Sequence, residues 1–478
     1  MTRRRTIAAA GAAALALAAS FPAAAGAHAI QGKRDLPIPE WLFGWGAALV
    51  LLVSFLALAV LWPKPRLEDE EWRPLRLGRA LGGRVAEVLC GAIGTAVFAL
   101  TVYSAIAGED SITDNFAPTF VYVVFWVGMV PVSVLFGDVF RAFNPWRAIA
   151  RAVGRVTNLV TRGDSSEPFE YPHRLGRWPA AAGLVGFTTM ELAIRSGSTP
   201  RTLAIGILLY SGVTWFGMAL YGIERWCDRG EAFSVYYGLF GRLSVFERRD
   251  GVVGRRRFLS GLTGIERARG TVPLLAVMIG STSFDGFSQS NAWSSTFDPK
   301  LIDLWKALGF SATGAEQAAK LTGLLVVIAL VYGFYRLGIA GARTVGGNLD
   351  AGRLAGAFVH SLVPIALAYV LAHYVSLLLF QGQALPALLS DPLGHGSDLL
   401  GWADNTIDYG FLSGRTIWYL QVVFVVTGHV LALMLAHDRA LVVYDRAAQA
   451  VRSQYWMLGV MVGFTSLALW LLSEAARA

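Results

Sequence analysis

Charge is scarce in this 478-residue chain: Asp, Glu, Lys and Arg together make up 15% of it, where a soluble globular domain carries about a quarter. That deficit excludes a large water-facing domain. With 55% hydrophobic residues and a mean hydropathy of +0.50, it points to apolar runs of bilayer length. Cysteine is scarcer still. Cys90 falls in an apolar run and Cys227 in a basic loop, so a structural disulfide is not expected. With no CxxC and no Cys/His spacing, neither is structural zinc. There is no GxSxG elbow, P-loop, HExxH or strand-to-helix GxGxxG, which removes ATP-driven and dinucleotide chemistry. Neither an internal repeat nor a separate soluble domain can be discerned.

What is present reads as an all-α, polytopic transmembrane helix bundle made with a cleaved signal peptide. Residues 1–27 carry the signal: Arg3, Arg4 and Arg5, an Ala/Leu run from Ile7 to Phe21, and the small-x-small site Ala25-Gly26-Ala27. The mature chain, 28–478, is expected to be one membrane domain. Ten spans are predicted near 41–62, 85–107, 118–138, 178–194, 202–224, 271–287, 319–340, 354–380, 415–436 and 455–473. Trp41, Trp45 and Trp62 flank the first, where interfacial aromatics belong.

The net charge of +8 is confined largely to alternate loops. With the mature amino terminus outside a plasma membrane, 29 of the 41 Lys and Arg fall in the five cytoplasmic loops and 9 in outward segments. Anionic lipid, not nucleic acid, is the partner such loops imply. The sixth span is the weakest, because Ser281, Thr282, Ser283 and Asp285 follow its apolar half; a half-helix there would invert everything downstream. Asn144-Pro145 opens an expected amphipathic surface helix, with Trp146, Ile149, Ala150, Val153 and Val156 opposite Arg147, Arg151 and Arg155. Segments 231–247 and 299–309 read as further surface helices, inner and outer respectively.

Ionisable residues within spans are costly and mark function by default. Glu87, Asp138, Glu191 and Glu224 sit near span ends and are read as structural, Glu191 pairing with Arg195 four residues on. The histidines carry more. His360 and His429 fall at matching depth on the eighth and ninth spans, where two imidazoles suit a metal, a haem or a proton relay. His429 and His437 are only eight apart and do not reproduce the thirteen-residue interval of His360 and His373, so a dihaem helix pair does not fit. A second set faces outward: Asp285, His373, His395 and His28, the last becoming the new amino terminus, able to chelate through its amine and its ring. Imidazole and carboxylate together suit a divalent ion, copper or zinc, that activates water.

Several stretches resemble a group of actinobacterial multi-pass membrane proteins labelled fenitrothion hydrolase. They are His28 with Asp35-Leu36-Pro37-Ile38-Pro39-Glu40-Trp41, Asn144-Pro145-Trp146-Arg147, Phe284-Asp285-Gly286, Gly428-His429, and Ala436-His437-Asp438-Arg439-Ala440-Leu441. The resemblance implies hydrolysis of an organophosphorus triester and assigns no catalytic residue. A metal-dependent hydrolase with an outward site is therefore one expectation. A permease or metal-handling protein lined by the same His and Asp is the second, and an assembly protein with no site the third. Mass spectrometry of the purified protein is expected to find its amino terminus at His28; an intact Met1 terminus would remove the amine ligand and add a candidate span.

Overall fold

The computed structural model describes residues 40–68, 71–160, 168–346 and 350–475; the predicted signal and His28 lie outside them. Every predicted span coincides with a helix. In chain order these are α1 (Glu40–Leu61), α2 (Arg84–Ala107), α3 (Phe116–Phe136), α5 (Trp178–Leu192), α6 (Pro200–Tyr221), α8 (Thr271–Ser288), α10 (Ala312–Arg343), α11 (Leu362–Gln381), α12 (Gly414–Val443) and α13 (Ala447–Ala475). Between them lie α4 (Pro145–Val160), α7 (Ala232–Gly241) and α9 (Asp298–Ala307). Among the described residues six helices are long and apolar enough to cross a membrane: α2, α3, α6, α10, α12 and the run Ala351–Ser390 that contains α11. Their outer flanks carry apolar rows at helical spacing. Val85, Leu89 and Ile93 on α2, and Ile205, Leu209 and Phe216 on α6, are each more than half exposed, as befits a surface solvated by lipid tails.

The polar run in α8 does not break it. Thr282 and Ser283 donate their hydroxyls back to the carbonyls of Met278 and Ile279, at 3.3 and 2.8 Å, so the helix satisfies them itself. Starting beside Arg177, whose guanidinium donates to Thr271 Oγ1 at 3.0 Å, its 18 residues rise ~27 Å. That is close to the thickness of a hydrocarbon core.

The loops gather on two faces. On one, β1 (Trp72–Pro74), β2 (Phe246–Arg249) and β3 (Val252–Arg256) form an antiparallel sheet in the order β1-β3-β2, with Trp72 opposite Arg256. The sheet joins the connection after α1 to the one before α8. Arg147 and Arg151 meet Glu87 and Glu224 on this face, and Arg141 reaches Glu224 and Asp228 at 2.6 and 2.5 Å. Asp438, near the end of α12, accepts from Trp62 Nε1 at 2.8 Å, Arg66 N at 2.6 Å and Leu67 N at 3.1 Å. His437 meets Trp62 O at 3.0 Å, and Arg439 donates to Thr263 O at 2.8 Å. On the other face, Glu109 N and Phe116 N donate to Leu393 O and Pro392 O, and Tyr122 to Gly197 O. This grouping agrees with the loop alternation expected from charge, including the half after α8.

Two local expectations need correcting. Segment 231–247 is not a surface helix: in α7, Phe233, Val235, Tyr236, Tyr237, Leu239 and Phe240 are all buried. Its apolar run continues around the whole helix, so there is no side to lie on water. In α4 the apolar side that carries Val153 and Val156 stands exposed, as a helix lying on a leaflet requires, but Arg147 is drawn inward, 4% exposed and ion-paired. The carboxylates of Glu87 and Glu224 pull the basic side inward. Segment 299–309 behaves as expected, with no buried residue in α9.

The contact between α11 and α12 is set by Gly428. A Cβ there would overlap the Ala368 side chain and stand 2.6 Å from Pro364 O, so only a glycine lets these backbones approach. α3 contains a π-helical stretch, Phe120–Gly128, whose Phe125 carbonyl accepts from the Tyr237 hydroxyl.

Removing the Asp438 side chain leaves three donors without their acceptor in a nearly dry site. Asp438→Ala is expected to cost about 3 kcal/mol, read as a lowered melting temperature in detergent; an unchanged melting temperature would refute the stapling role. Glu224 gives a pH signature. Burial works against its charge, but Arg147, Arg141 and Arg151 outweigh it and hold the carboxyl below its ordinary 4.5. A depressed folded value contributes stability above 4.5 that is lost as pH falls through the folded value. Glu224→Gln is therefore expected to flatten the acid limb of the melting curve below pH 4.5, and an identical limb would exclude that contribution.

Candidate functional site

Asp285 lies in the last turn of α8, and His373 sits midway along α11. Their side chains meet, His373 Nε2 to Asp285 Oδ2 at 2.8 Å. Tyr374, the next residue, donates its hydroxyl to the same Oδ2 at 2.8 Å, and Gln289 donates to Oδ1 at 3.2 Å. The two rings of His373 and Tyr374 pack edge to face with centroids 4.6 Å apart. Both Asp285 and His373 side chains are 15% exposed, enough for access and too little for full hydration. In the tautomer that donates from Nε2 to Asp285, the lone pair of His373 lies on Nδ1, which has no hydrogen-bond partner among the described residues. A carboxylate behind an imidazole in this manner orients the ring and raises the basicity of its other nitrogen.

The sequence brings this pair together through helix geometry. Asp285 follows the apolar half of α8, and His373 follows Tyr369, Val370 and Ala372, the buried side of α11. The expected outward set is otherwise not assembled. His395 is exposed in a turn built on Asp391, which accepts from His395 N at 3.2 Å, Gly396 N at 2.7 Å and Ser397 Oγ at 2.6 Å. That turn packs against 108–116 through Pro392 and Leu393. His28 lies outside the described residues. Among the described residues no group of three or more His, Cys, Asp and Glu is placed to hold a metal ion. Asp285 and His373 alone do not complete a divalent centre, so no reaction step is assigned to copper or zinc.

His360 and His429 keep separate surroundings. His429 Nδ1 meets Val425 O, on its own helix, at 2.7 Å, and its ring leans on Tyr369. His360 lies in the helical turn Val359–Ser361, facing the backbone of Leu435. Leu435 and His429 are six residues apart on α12, ~9 Å of rise. Each Nε2 is buried without a hydrogen-bond partner among the described residues.

Glu191 is the residue that sequence reasoning placed wrongly. Arg195 is exposed and makes no ion pair with it among the described residues. Instead its Oε2 is buried without a hydrogen-bond partner among the described residues. Tyr236 of α7 carries a second buried oxygen without a hydrogen-bond partner among the described residues. Tyr236 was not anticipated because α7 was read as a surface element. Tyr374 was legible only as the neighbour of His373. Comparison with known protein families, with curated proteins and with solved structures finds no match to the chain.

Proposed function

We propose that the protein is a permease-type membrane protein that binds a cation between its helices at Asp285 and His373. The hydrogen-bonded Asp285–His373–Tyr374 arrangement carries this reading. An anionic oxygen cluster between helices, partly open and lacking any Lys or Arg partner among the described residues, attracts positive charge. The chain crosses a plasma membrane ten times with its amino terminus outside. The six long apolar helices and the gathering of basic loops on one face support that arrangement. The site then opens outward, through the end of α8.

A second reading has one observation in its favour. The free Nδ1 of His373 could take a proton from water while the water oxygen attacks phosphorus and the P–O bond to the aryloxide breaks, the aryloxide leaving, which is the hydrolysis that the fenitrothion hydrolase resemblance implies. The two readings separate in proteoliposomes. Wild-type protein is expected to take up at least one of zinc, copper(II) and methylammonium saturably, with Asp285→Asn reducing uptake at least tenfold and His437→Ala leaving it unchanged. Protein that passes none of these ions but hydrolyses fenitrothion would sink the permease reading in favour of the second.

A further inference from the structure

We infer that the cavity between α8, α10, α11, α12 and α13 is a binding site for a neutral, lipophilic phenol whose O–H is accepted by Gln454 Oε1. Neither Asp285 nor His373 lines this cavity, so the inference stands apart from the cation reading.

The cavity has a volume of about 690 Å³ out to its mouth, within the ~300–1,000 Å³ of small-molecule sites. Its walls are apolar, with Ile279 from α8, Ile365 from α11, Leu433 from α12 and Met461 from α13. Phe334 of α10 and Phe464 of α13 also line it, their rings edge to face with centroids 5.2 Å apart. Phe334 is 41% exposed, and Leu330 and Leu337 on the same side of α10 are half exposed. That side belongs to the lipid-facing flank, so a ligand enters from the hydrocarbon. No Asp, Glu, Lys or Arg among the described residues lines the cavity, and a charged ligand would enter without a counter-ion.

The polar lining side chains are Tyr335, Ser361 and Gln454. Each spends its hydrogens inside the protein. Tyr335 donates to Ala355 O at 2.6 Å and Ser361 to Phe358 O at 2.8 Å. Gln454 Nε2 donates to Ala450 O at 2.8 Å and to His437 Nδ1 at 3.2 Å. A carbonyl can only accept, so Ala450 fixes which way round the amide lies. Gln454 Oε1 is then left as an acceptor, on a fully buried side chain, with no partner among the described residues. An acceptor stranded in this way costs free energy that a ligand donor recovers. One unmet acceptor calls for one donor, and a hydroxyl supplies it without charge.

The rest of the lining selects a ring. Met457 and Met461, one turn apart on α13, offer thioethers, and Phe464 offers an aromatic edge; both are favourable partners of an aromatic ring. Gln454 and Phe464 are ten residues apart on the same helix, ~15 Å of rise. A phenol with a short alkyl tail lies along that axis, its hydroxyl at Gln454.

The test is calorimetric binding of para-butylphenol to the full chain in phosphatidylcholine nanodiscs, with the heat of empty nanodiscs subtracted. Wild type is expected to bind it saturably, and to bind para-butylanisole, the methyl ether that lacks the O–H, at least tenfold more weakly. Gln454→Met, which keeps the length of the side chain and removes the acceptor, is expected to weaken phenol binding at least tenfold. Val460→Phe fills the cavity from α13 and leaves Gln454 in place; it should weaken phenol binding as much, and it decides the matter if the first variant does not fold. Dioleoylglycerol added to the nanodiscs should leave phenol binding unchanged, and competition by it would assign the cavity to a hydroxyl-bearing lipid of the bilayer and overturn a free phenol as ligand. Equal binding of phenol and ether by wild type would overturn the role of the acceptor. Phenol binding unaltered in either folded variant would overturn the site.

Discussion

A short helix placed inside a bundle exposes its first backbone N–H groups to a region without water, and something must accept them. In this protein that acceptor is Glu231. Its carboxylate takes hydrogen bonds from Phe233 N and Ser234 N at the start of α7, from Asn144 Nδ2 at 3.0 Å, and from the Tyr210 hydroxyl. Asn144 in turn accepts from Arg147 N at 2.9 Å and so starts α4. One side chain thus joins α6, α7 and α4. The ring-on-ring packing of Phe125, Trp126, Trp146 and Phe233 is assembled around the position it fixes. Burial pushes the Glu231 carboxyl up while the hydroxyls of Ser234 and Tyr210 and the backbone of α7 pull it back.

The division between what sequence could and could not reveal follows interaction range. Bilayer-length apolar runs impose helices, since no other open structure satisfies its backbone in lipid, and the expected spans all coincide with helices. The pairing of Asp285 with His373 was accessible too, because depth along a helix is a linear count of residues. Rotation about the helix axis is not. Whether Glu191 faces Arg195 at the surface or turns into the interior depends on which neighbour α5 packs against, and an isolated sequence holds no record of that. Asp438 teaches the same lesson: its three donors come from residues 62–67, and no local pattern announces the contact. Segment 231–247 failed for a different reason. A ten-residue apolar helix is too short to span, and its burial in the bundle depends on neighbours that its own sequence does not name.

The two faces of the protein handle charge in opposite ways. On the basic face the arginines are neutralised in multicentre pairs, Glu87 and Glu224 each serving more than one guanidinium, and the result is mechanical: loops are tied down. Toward the other face, Asp285 has neutral hydrogen-bonding neighbours and an imidazole, with no guanidinium among the described residues. Fixed pairs favour rigidity, while charge left without a fixed partner favours a ligand that comes and goes.

The staple at Asp438 also has a bearing on how the protein is made. Trp62 and Asp438 are separated by 376 residues, and at ~5–20 residues per second the ribosome needs roughly twenty to seventy-five seconds to supply the second after the first. For that interval the end of α1 lacks its acceptor, and the loop that follows is held only through its pairing with β3 and the contacts of residues 257–263. The first of the described helices is therefore among the last to have its end secured, and a nascent chain arrested before α12 leaves Trp62, Arg66 and Leu67 without their shared acceptor.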